Sequence, residues 1–338
     1  MGVNIRDVAA MAGVSVTTVS HVLNKQGRVA PETRKRVQSV AAQLGYRANI
    51  HAQQLVTRRS RTLAIQVSRL AKTSKSTALV PNSEYFLEVL NGAAAAADEL
   101  GYALILTPPA VSAETIEAFG IDGAIIVDPL GDEPLFHSMG DPSPRLVTTG
   151  RPGDGTAHSF TVDNDHRAAA VAMLDHLVEQ GYEFPAVVVT DTSRSYVRDL
   201  ITGYEAWALS RSLPRVVFEP EETKQLSAGA VAVRDLMQLN PRPDAIYAGS
   251  EDLAIEIFHE AFREGLRIPE DLALCSAVDS YTLQLTSPTV TGMYLYPRDV
   301  GRKAAELVIE LVEAGGELAD RSVVVPTRLA MRESTRRL

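Results

Sequence analysis

Apolar segments of strand length alternate with amphipathic helical segments from Thr62 to Asp279, and this alternation restricts the fold more than any other feature. The strand-like segments are TLAIQV (62–67), ALIL (103–106), GAIIV (123–127) and RLVTTG (145–150), then PAVVVT (185–190), RVVFE (215–219), DAIYAG (244–249) and DLALCSAVD (271–279). Strands separated by helices form parallel sheets that helices cover on both faces. Because the alternation runs through two cycles, we predict an α/β core with two similar lobes.

The first 47 residues follow a different pattern, with three short helical segments. Asn4 caps the first helix, and Gly13 ends it because glycine accepts the left-handed conformation of a tight turn. Ser15 caps a second helix over residues 16–24, and Pro31 opens a third that runs to Leu44. Two short helices joined by a glycine turn and completed by a third predict a small all-α helix-turn-helix head.

Charge separates this head from the rest of the chain. Residues 1–61 contain ten Lys and Arg residues against only Asp7 and Glu32, whereas the whole chain has a net charge of −9. A basic head on an acidic body suggests that the head meets a polyanion. In a helix-turn-helix unit the second helix enters the major groove of DNA, which is wide enough for an α-helix.

The sequence gives little support for a membrane span, a secretory signal, a disulfide or a metal site. No apolar run reaches the length of a membrane span, and the N-terminus lacks the pattern of a secretory signal, so we expect a cytoplasmic protein without membrane contact. The single cysteine, Cys275, excludes an internal disulfide and fits a buried position in a reducing compartment. The stretch DNDH (163–166) holds possible metal ligands, but it precedes a helix and fits a cap better.

The head also resembles a known family. IRDVAAMAGVSVTTVSHVLN (5–24), followed by VAPETRKRVQSVAAQLGY (29–46), closely resembles the N-terminus of LacI/GalR-family bacterial transcription regulators. RPDAIYAGSEDLAIE (242–256), LTSPTVTGMYLYPRDVGRKAAELV (285–308) and PTRLAMREST (326–335) are similar to the family's effector-binding core. The resemblance covers nearly the whole chain. It implies a regulator that binds a double-stranded DNA operator and a small-molecule effector, with no cofactor.

Within the head, the resemblance implies DNA contacts for the second helix. Val16, Thr17 and His21 correspond to base-reading positions, Thr18 and Ser20 to phosphate contacts, and Asn24 completes the DNA-binding set. The family usually has arginine at the position of His21. We therefore expect an altered half-site preference, and DNA binding that strengthens at lower pH as His21 takes up a proton.

The resemblance divides the chain into residues 1–47 (head), 48–60 (hinge helix) and 61–338 (core). Leu55 matches the leucine that the family's hinge helix inserts into the minor groove, although it also fits an ordinary linker contact. The family commonly has proline where Ala48 stands, which puts the rigidity of the hinge in question. In the core we expect one lobe over about 61–160 and 292–322, and the other over about 161–291 and 323–338.

The core resembles periplasmic sugar-binding proteins, in which a ligand lies in a cleft between two lobes at the ends of the strands. The positions that match pocket residues of relatives, or could serve in their place, are Tyr85, Phe86, Arg194, Arg198, Phe218, Glu251 and Asp279. Aromatic rings at such positions also fit core packing, and Arg198 fits a surface charge. The family's common Asn-Asp pair is Ser250-Glu251 here, and Leu200 stands where the family often has arginine, so we expect an unusual ligand.

Three functions follow from these observations. The favoured one is a ligand-responsive regulator, a repressor in our expectation, that binds a palindromic operator as a homodimer. A cytoplasmic sugar- or nucleoside-binding protein without a regulatory response is the second, and the basic head disfavours it. An enzyme is the third, but no Gly-x-Ser-x-Gly, P-loop or His-Glu-x-x-His motif is present. The C-terminal RESTRRL is too short for a leucine-heptad tail, which favours a dimer over a tetramer.

Overall fold

The computed structural model describes residues 3–23, 27–46, 59–68, 83–138, 145–153, 160–223, 225–315 and 318–337. It divides into two compact units, Met1–Arg61 and Thr62–Leu338, which we call the head and the core. Asn24, Ala48 and Leu55 lie outside the described residues, as does most of the predicted hinge helix. No helix in the described part of the chain is long and apolar enough to cross a membrane.

The head contains three helices. They are α1 (Ile5–Ala12), α2 (Val16–Leu23) and α3 (Pro31–Gln43). The Asn4 side chain accepts a hydrogen bond from the amide of Arg6 at 2.9 Å, and the Asp7 carboxylate accepts from the amide of Asn4 at 2.8 Å. These two bonds satisfy amides at the start of α1 that have no partner within the helix. Gly13 ends α1 with φ at 64°, in the left-handed region.

A small apolar core holds the three helices together. Val8 on α1, Val19 and Val22 on α2, and Val37 on α3 are at most 1% exposed. The Ser15 hydroxyl accepts a hydrogen bond from the amide of Thr18 at 3.0 Å, which caps the start of α2. Burial of one face and a capped N-terminus therefore compensate for the weak helix propensity of the β-branched residues in α2.

The core contains two six-stranded sheets. The strands are β1 (Thr62–Val67), β2 (Ala103–Leu106), β3 (Gly123–Val127), β4 (Leu146–Thr149), β5 (Phe160–Asn164), β6 (Pro185–Val188), β7 (Val217–Phe218), β8 (Ala245–Ala248), β9 (Ala273–Ser276), β10 (Thr291–Tyr294), β11 (Arg321–Val325) and β12 (Arg328–Ala330). The first sheet has the order β11-β5-β4-β3-β1-β2 and the second β12-β10-β9-β8-β6-β7. All neighbouring strands are parallel except β10 and β12. The predicted fold class, an all-α head with a two-lobed α/β core, is confirmed.

Helices cover both sheets. They are α4 (Glu84–Glu99), α5 (Ala113–Ala118), α6 (Pro134–Ser138), α7 (His166–Glu179), α8 (Ser195–Ser210), α9 (Ala228–Leu236), α10 (Glu251–Arg263), α11 (Tyr281–Gln284) and α12 (Pro297–Glu313), followed by a short 3-10 helix (Glu333–Thr335). Helices α4 and α12 pack on the first sheet, whereas α7, α8, α9 and α10 pack on the second.

The chain crosses between the two lobes three times. The first crossing follows β5, which ends at Asn164, and the second follows β10, which ends at Tyr294. The third lies between β11 and β12, after Val325. The sequence analysis placed the lobe boundaries at about residues 160, 291 and 322. Each crossing lies a few residues beyond the expected boundary, because β5, β10 and β11 extend past it.

Helices α4 and α12 cross at two glycines. A Cβ atom on Gly92 would lie 1.9 Å from the carbonyl oxygen of Arg298, and a Cβ atom on Gly301 would lie 1.9 Å from the carbonyl oxygen of Val89. Backbone therefore meets backbone at this crossing, and no flexible side chain can move aside to make room. The crossing fixes α12 against the first lobe just after the chain has returned from the second.

We expect Gly92→Ala to lower the free energy of unfolding by about 1–3 kcal/mol, because the added methyl group forces the two helices apart. Urea denaturation of the full-length protein measures this change. The control is Ala95→Ser on the exposed side of the same helix, which we expect to change stability by less than about 0.5 kcal/mol. An unchanged midpoint for Gly92→Ala would contradict the close crossing.

Candidate functional site

The outward face of α2 presents short side chains. Val16 is 41% exposed and Thr17 is also exposed, whereas Ser20 and His21 are half-buried. The opposite face carries Val19 and Val22 into the head core. A helix with short outward side chains brings its backbone close to any surface that it meets.

Thr18 has a local structural role. Its hydroxyl lies 2.8 Å from the Ser15 hydroxyl, and its amide donates to the same Ser15 oxygen. Both groups therefore take part in the cap of α2. A phosphate contact by Thr18, which the sequence predicts, would share this hydroxyl with the cap.

The imidazole of His21 packs against Gly27, at the turn that follows α2. A Cβ atom on Gly27 would lie 2.9 Å from His21 Nδ1, and Gly27 has φ at 66°. Only glycine fits this position without displacing the ring or straining the backbone. The sequence did not predict this contact, which positions the side chain of His21.

Basic side chains surround the exposed face of the head. Arg6 on α1 and Lys35 and Arg36 on α3 are exposed, and Arg34 is half-buried. Asp7 is committed to the cap of α1. The head therefore combines a basic surface with one exposed helix face, a combination that suits the phosphate backbone and base edges of duplex DNA.

A second candidate site lies between the two lobes of the core, at the carboxyl ends of the strands. Tyr85, in the first turn of α4, packs against the hydrophobic cores of both lobes. Phe86 packs against the first-lobe core and meets Tyr85 edge to face, with ring centroids 5.5 Å apart. The aromatic pair thus stands where the two lobes meet.

Arg194, just before α8 in the second lobe, bridges the lobes. Its Nη1 donates to the carbonyl oxygen of Asp128 in the first lobe and lies 3.3 Å from Asp128 Oδ2. Its Nε donates to Asp191 Oδ2 at 3.2 Å. The side chain of Arg194 is only 5% exposed. One buried guanidinium therefore holds a carboxylate from each lobe.

The ionisable groups around this bridge have perturbed pKa values. Burial raises the pKa of the Asp128 carboxyl to about 6, with Asp163 and Asp191 adding to the rise and Arg194 and His166 opposing it. Burial lowers the pKa of Arg194, but Asp128 and Asp191 more than offset that and hold it above its ordinary value. Burial, the largest cause, thus keeps the pKa of Asp128 above its ordinary value although Arg194 lies beside it.

Two tyrosines complete the surroundings of the bridge. Burial raises the pKa of Tyr85, and the negative charges of Asp128 and Asp163 raise it further. Burial and Asp128 likewise raise the pKa of Tyr196, whose ring centroid lies 5.7 Å from that of His166. Both phenols therefore stay protonated and can donate hydrogen bonds.

Glu251 is the first residue of α10, directly after β8. The Ser250 hydroxyl caps this helix by accepting from the amide of Leu253 at 3.3 Å. Glu251 is 9% exposed, and its Oε2 has no hydrogen-bond partner. Burial raises the pKa of the neighbouring Asp252, and the charges of Glu251 and Glu256 raise it further. An acidic acceptor with an unused oxygen thus stands at the end of a central strand of the second lobe.

Asp279 pairs with the C-terminal segment. Both of its carboxylate oxygens accept hydrogen bonds at 2.7 Å from the guanidinium of Arg332, and Arg332 also donates to the carbonyl oxygen of Val290. The carboxylate is only 3% exposed. Asp279 thus ties the C-terminal segment to the second lobe, and its role in ligand binding stays a prediction.

Arg198 and Phe218 lie at the margin of the cleft. Arg198, one turn into α8, donates to the carbonyl oxygen of Ser193 at 2.8 Å and is half-buried. Phe218 ends the edge strand β7 and packs partly against the second-lobe core. The structure therefore brings Tyr85 and Arg194 together, whereas Arg198 and Phe218 contact neither of them in the described interactions.

Sequence reasoning missed Asp128, Asp191 and the Arg151–Asp199 pair. Asp128 directly follows the predicted strand GAIIV, and Asp191 directly follows PAVVVT. A polar residue that ends a parallel strand is the pattern that could have identified both. Arg151 from the first lobe pairs with Asp199 on α8, and Arg167 Nε donates to the same carboxylate at 2.9 Å.

The DNDH stretch forms a cap and an ion pair. The Asp165 side chain accepts from the amide of Ala168 at 2.9 Å at the start of α7, and His166 Nε2 lies 3.4 Å from Asp163 Oδ1. Within the described ranges, no group of three or more His, Cys, Asp or Glu residues is arranged to hold a metal ion.

Comparisons with known proteins agree with both sites. Residues 4–49 match the model of bacterial regulatory proteins of the lacI family, and residues 174–335 match a periplasmic binding protein-like domain. The chain is 26% identical to the HTH-type transcriptional regulator MalR of Staphylococcus xylosus, with 98% of each chain covered. It is 27% identical to the HTH-type transcriptional regulator CelR of Thermobifida fusca, covering 97% of this chain and 96% of that one.

The structural comparison gives the same result. The solved structure of a complex of the transcriptional regulator CelR with cellobiose has a TM-score of 0.69 to this chain at 26% identity, covering 98% of this chain and 99% of that one. The similarity therefore extends over the helix-turn-helix head and the two-lobed core together. The chain therefore combines, in this order, a DNA-binding domain of the lacI family of bacterial regulatory proteins with a periplasmic-binding-protein-like domain.

Proposed function

We propose that this protein is a transcriptional repressor that binds a palindromic operator as a homodimer and changes its operator affinity when a small molecule occupies the cleft between the lobes. The observation that carries the proposal is the pairing of a capped helix, α2, in a basic head with a two-lobed core in which a buried arginine pairs with a carboxylate of each lobe. A repressor of this kind works in the cytoplasm, where it meets DNA.

In this proposal α2 lies in the major groove. Val16 contacts a thymine methyl group, Thr17 donates to or accepts from a base edge, and His21 does either according to its protonation. Ser20 and Thr18 contact phosphates, which position the helix without reading sequence. Asn24 extends the same surface, and Leu55 inserts into the minor groove between two half-sites.

The apolar surface of the second lobe supports the homodimer. Phe262 near the end of α10 is 80% exposed, Tyr281 on α11 is 62% exposed, and the adjoining Leu285 is 67% exposed. Helices α10 and α11 both pack their inner sides on the same second-lobe core. Large apolar side chains at such exposure favour a protein partner. A second copy of the chain brings two recognition helices to the two halves of a palindrome.

The cleft supports the effector part of the proposal. Tyr85 packs against the hydrophobic cores of both lobes, and the bridge between Arg194 and Asp128 spans them. Glu251 follows the carboxyl end of β8 in the second lobe. The related CelR was solved with cellobiose. A ligand that binds one arrangement of the lobes better than another shifts their equilibrium, and operator affinity changes by the same coupling free energy.

A small-molecule binding protein without a regulatory response is the alternative. It would need neither the exposed face of α2 nor the basic side chains around it. An enzyme is disfavoured because the sequence contains no Gly-x-Ser-x-Gly, P-loop or His-Glu-x-x-His motif.

We expect Thr17→Ala to weaken binding to the operator by about 1–3 kcal/mol while leaving binding to random duplex unchanged, because Thr17 contacts a base edge. The operator is first located by footprinting DNA upstream of the protein's own gene. Fluorescence anisotropy at one fixed salt concentration then compares the two duplexes. Ser39→Ala, on the exposed side of α3, is the matched control and should alter neither affinity. Equal loss on both duplexes would contradict a base-reading role.

We expect the double substitution Phe262→Lys with Leu285→Lys to convert the dimer into a monomer, because it buries positive charges in the apolar contact. Sedimentation velocity measures the change. The control is Leu209→Lys on α8, a residue that is also 80% exposed. A double variant that sediments like the unmodified protein, or a monomeric Leu209→Lys, would place the dimer contact elsewhere.

A further inference from the structure

Carboxylates are in excess in the cleft. Burial and then the charges of Asp128, Asp191 and Asp252 raise the pKa of Tyr196, so these three acids lie within electrostatic reach of one hydroxyl. Asp163 acts in the same way on Tyr85. The first lobe contributes Asp128 and Asp163, and the second contributes Asp191 and Asp252. Negative charge from both lobes therefore meets at the site.

The guanidinium groups that contact these acids are already paired. Arg194 is shared between Asp128 and Asp191. Arg151 pairs with Asp199 and lies 3.7 Å from Asp163. An anionic ligand would have to take one of these arginines from a carboxylate, and that carboxylate would then be left buried without its counter-charge.

Among the described buried polar groups without a hydrogen-bond partner, two lie in the second lobe on the segments that follow β6 and β8. They are the hydroxyl of Ser195, which is 4% exposed, and the Oε2 of Glu251. A Cβ atom on Gly150 would lie 3.8 Å from Ser195 Oγ and 3.9 Å from Asp128 Oδ1 and would touch nothing closer. Space therefore remains at Gly150, between a hydroxyl of the second lobe and a carboxylate of the first. Buried acceptors without partners are costly, and ligand donors would satisfy them.

We propose that the cleft takes a ligand that is rich in hydrogen-bond donors, hydroxyl or ammonium, and carries no phosphate or carboxylate group. The donors bind Glu251, Asp128 and the Ser195 hydroxyl, and the tyrosine rings pack against the apolar face of the ligand. This inference rests on the proposed effector function of the same cleft and specifies its chemistry.

Like charges explain the exclusion of anions. A phosphate group carries up to two negative charges, and the surrounding acids repel it in a site where water screens little. We expect the phosphorylated form of a bound ligand to bind at least about 100-fold more weakly than the parent compound. The cleft then rejects anionic ligands because its acids repel them, and not because such ligands lack hydrogen-bond partners in the cleft.

The experiment uses the full-length dimer, its operator and a small-molecule extract of the source cells. Anion exchange divides the extract into a retained, anionic pool and a flow-through pool of neutral and cationic compounds. Each pool is tested for a shift in the thermal unfolding temperature and for a change in operator affinity. We expect both effects in the flow-through pool alone. Cation exchange of that pool then distinguishes ammonium-bearing ligands from neutral hydroxylated ones.

The outcomes separate the inference from the proposed function. Activity in the anionic pool overturns the inference and leaves the proposed function standing. Activity in neither pool removes the effector from the proposed function and this inference with it. Failure to bind the operator both without and with the extract contradicts the proposed function directly.

Variants test the two unpartnered groups. Glu251→Gln should require at least about 10-fold more of the active pool for a half-maximal response, because it removes a charged acceptor. Glu264→Gln, at the exposed far end of α10, makes the same change of charge outside the cleft and should respond like the unmodified protein. Ser195→Ala supplies a second variant, with circular dichroism to establish that each variant is folded. Unaltered responses from both Glu251→Gln and Ser195→Ala would overturn the assignment.

Discussion

The buried guanidinium of Arg194 is the interaction on which the arrangement of the core depends. It is balanced by Asp191 in its own lobe and by Asp128 in the other, so neither lobe alone satisfies it. Breaking a buried ion pair on one side typically costs about 3–5 kcal/mol, because the remaining charge stays buried without compensation. The lobes are therefore held together by a charge that a ligand in the same cleft can perturb. Such a bridge links occupancy of the cleft to the relative position of the lobes.

The head is a small unit that buries few apolar side chains. Its core consists of a few small side chains, of which Val8, Val19 and Val37 are fully buried. Because this burial is small, helix caps contribute to the stability of the head. Asn4 and Asp7 cap α1, and Ser15 caps α2. Caps of this kind are each worth about 1 kcal/mol, which matters in so small a unit. On the outer face of α2, Thr18 takes part in the cap and His21 packs on Gly27, whereas Val16 and Thr17 are exposed.

Local interactions explain why the head could be predicted so fully from sequence. Capping and turn residues act on neighbours within four positions, so Asn4, Gly13 and Ser15 mark helix limits that the structure reproduces. Eight of the twelve strands described in the core were predicted for a similar reason, since parallel buried strands are continuously apolar. The sequence did not predict β5, β10, β11 and β12. β7 is shorter than the predicted 215–219, because it lies at the sheet edge and only Val217 and Phe218 pair with β6.

Partners distant in the chain could not be predicted in this way. Asp279 matched a ligand-binding position, but Arg332, more than fifty residues later, occupies both of its oxygens. Asp128 directly follows a predicted strand, and only the approach of the second lobe gave its carboxylate Arg194 as a partner. The packing of His21 on Gly27 likewise depends on the turn that follows α2.

The family resemblance implied a cleft where the strands end, and the sequence by itself determined a capped, basic three-helix head and two cycles of strand and helix. Those features follow from periodicity, capping and charge, which act over short separations along the chain. Only the tertiary structure decided which acids in the cleft are neutralised and which acceptors remain unused. That outcome depends on burial and on distances between residues from different lobes, and chain folding alone brings those residues together.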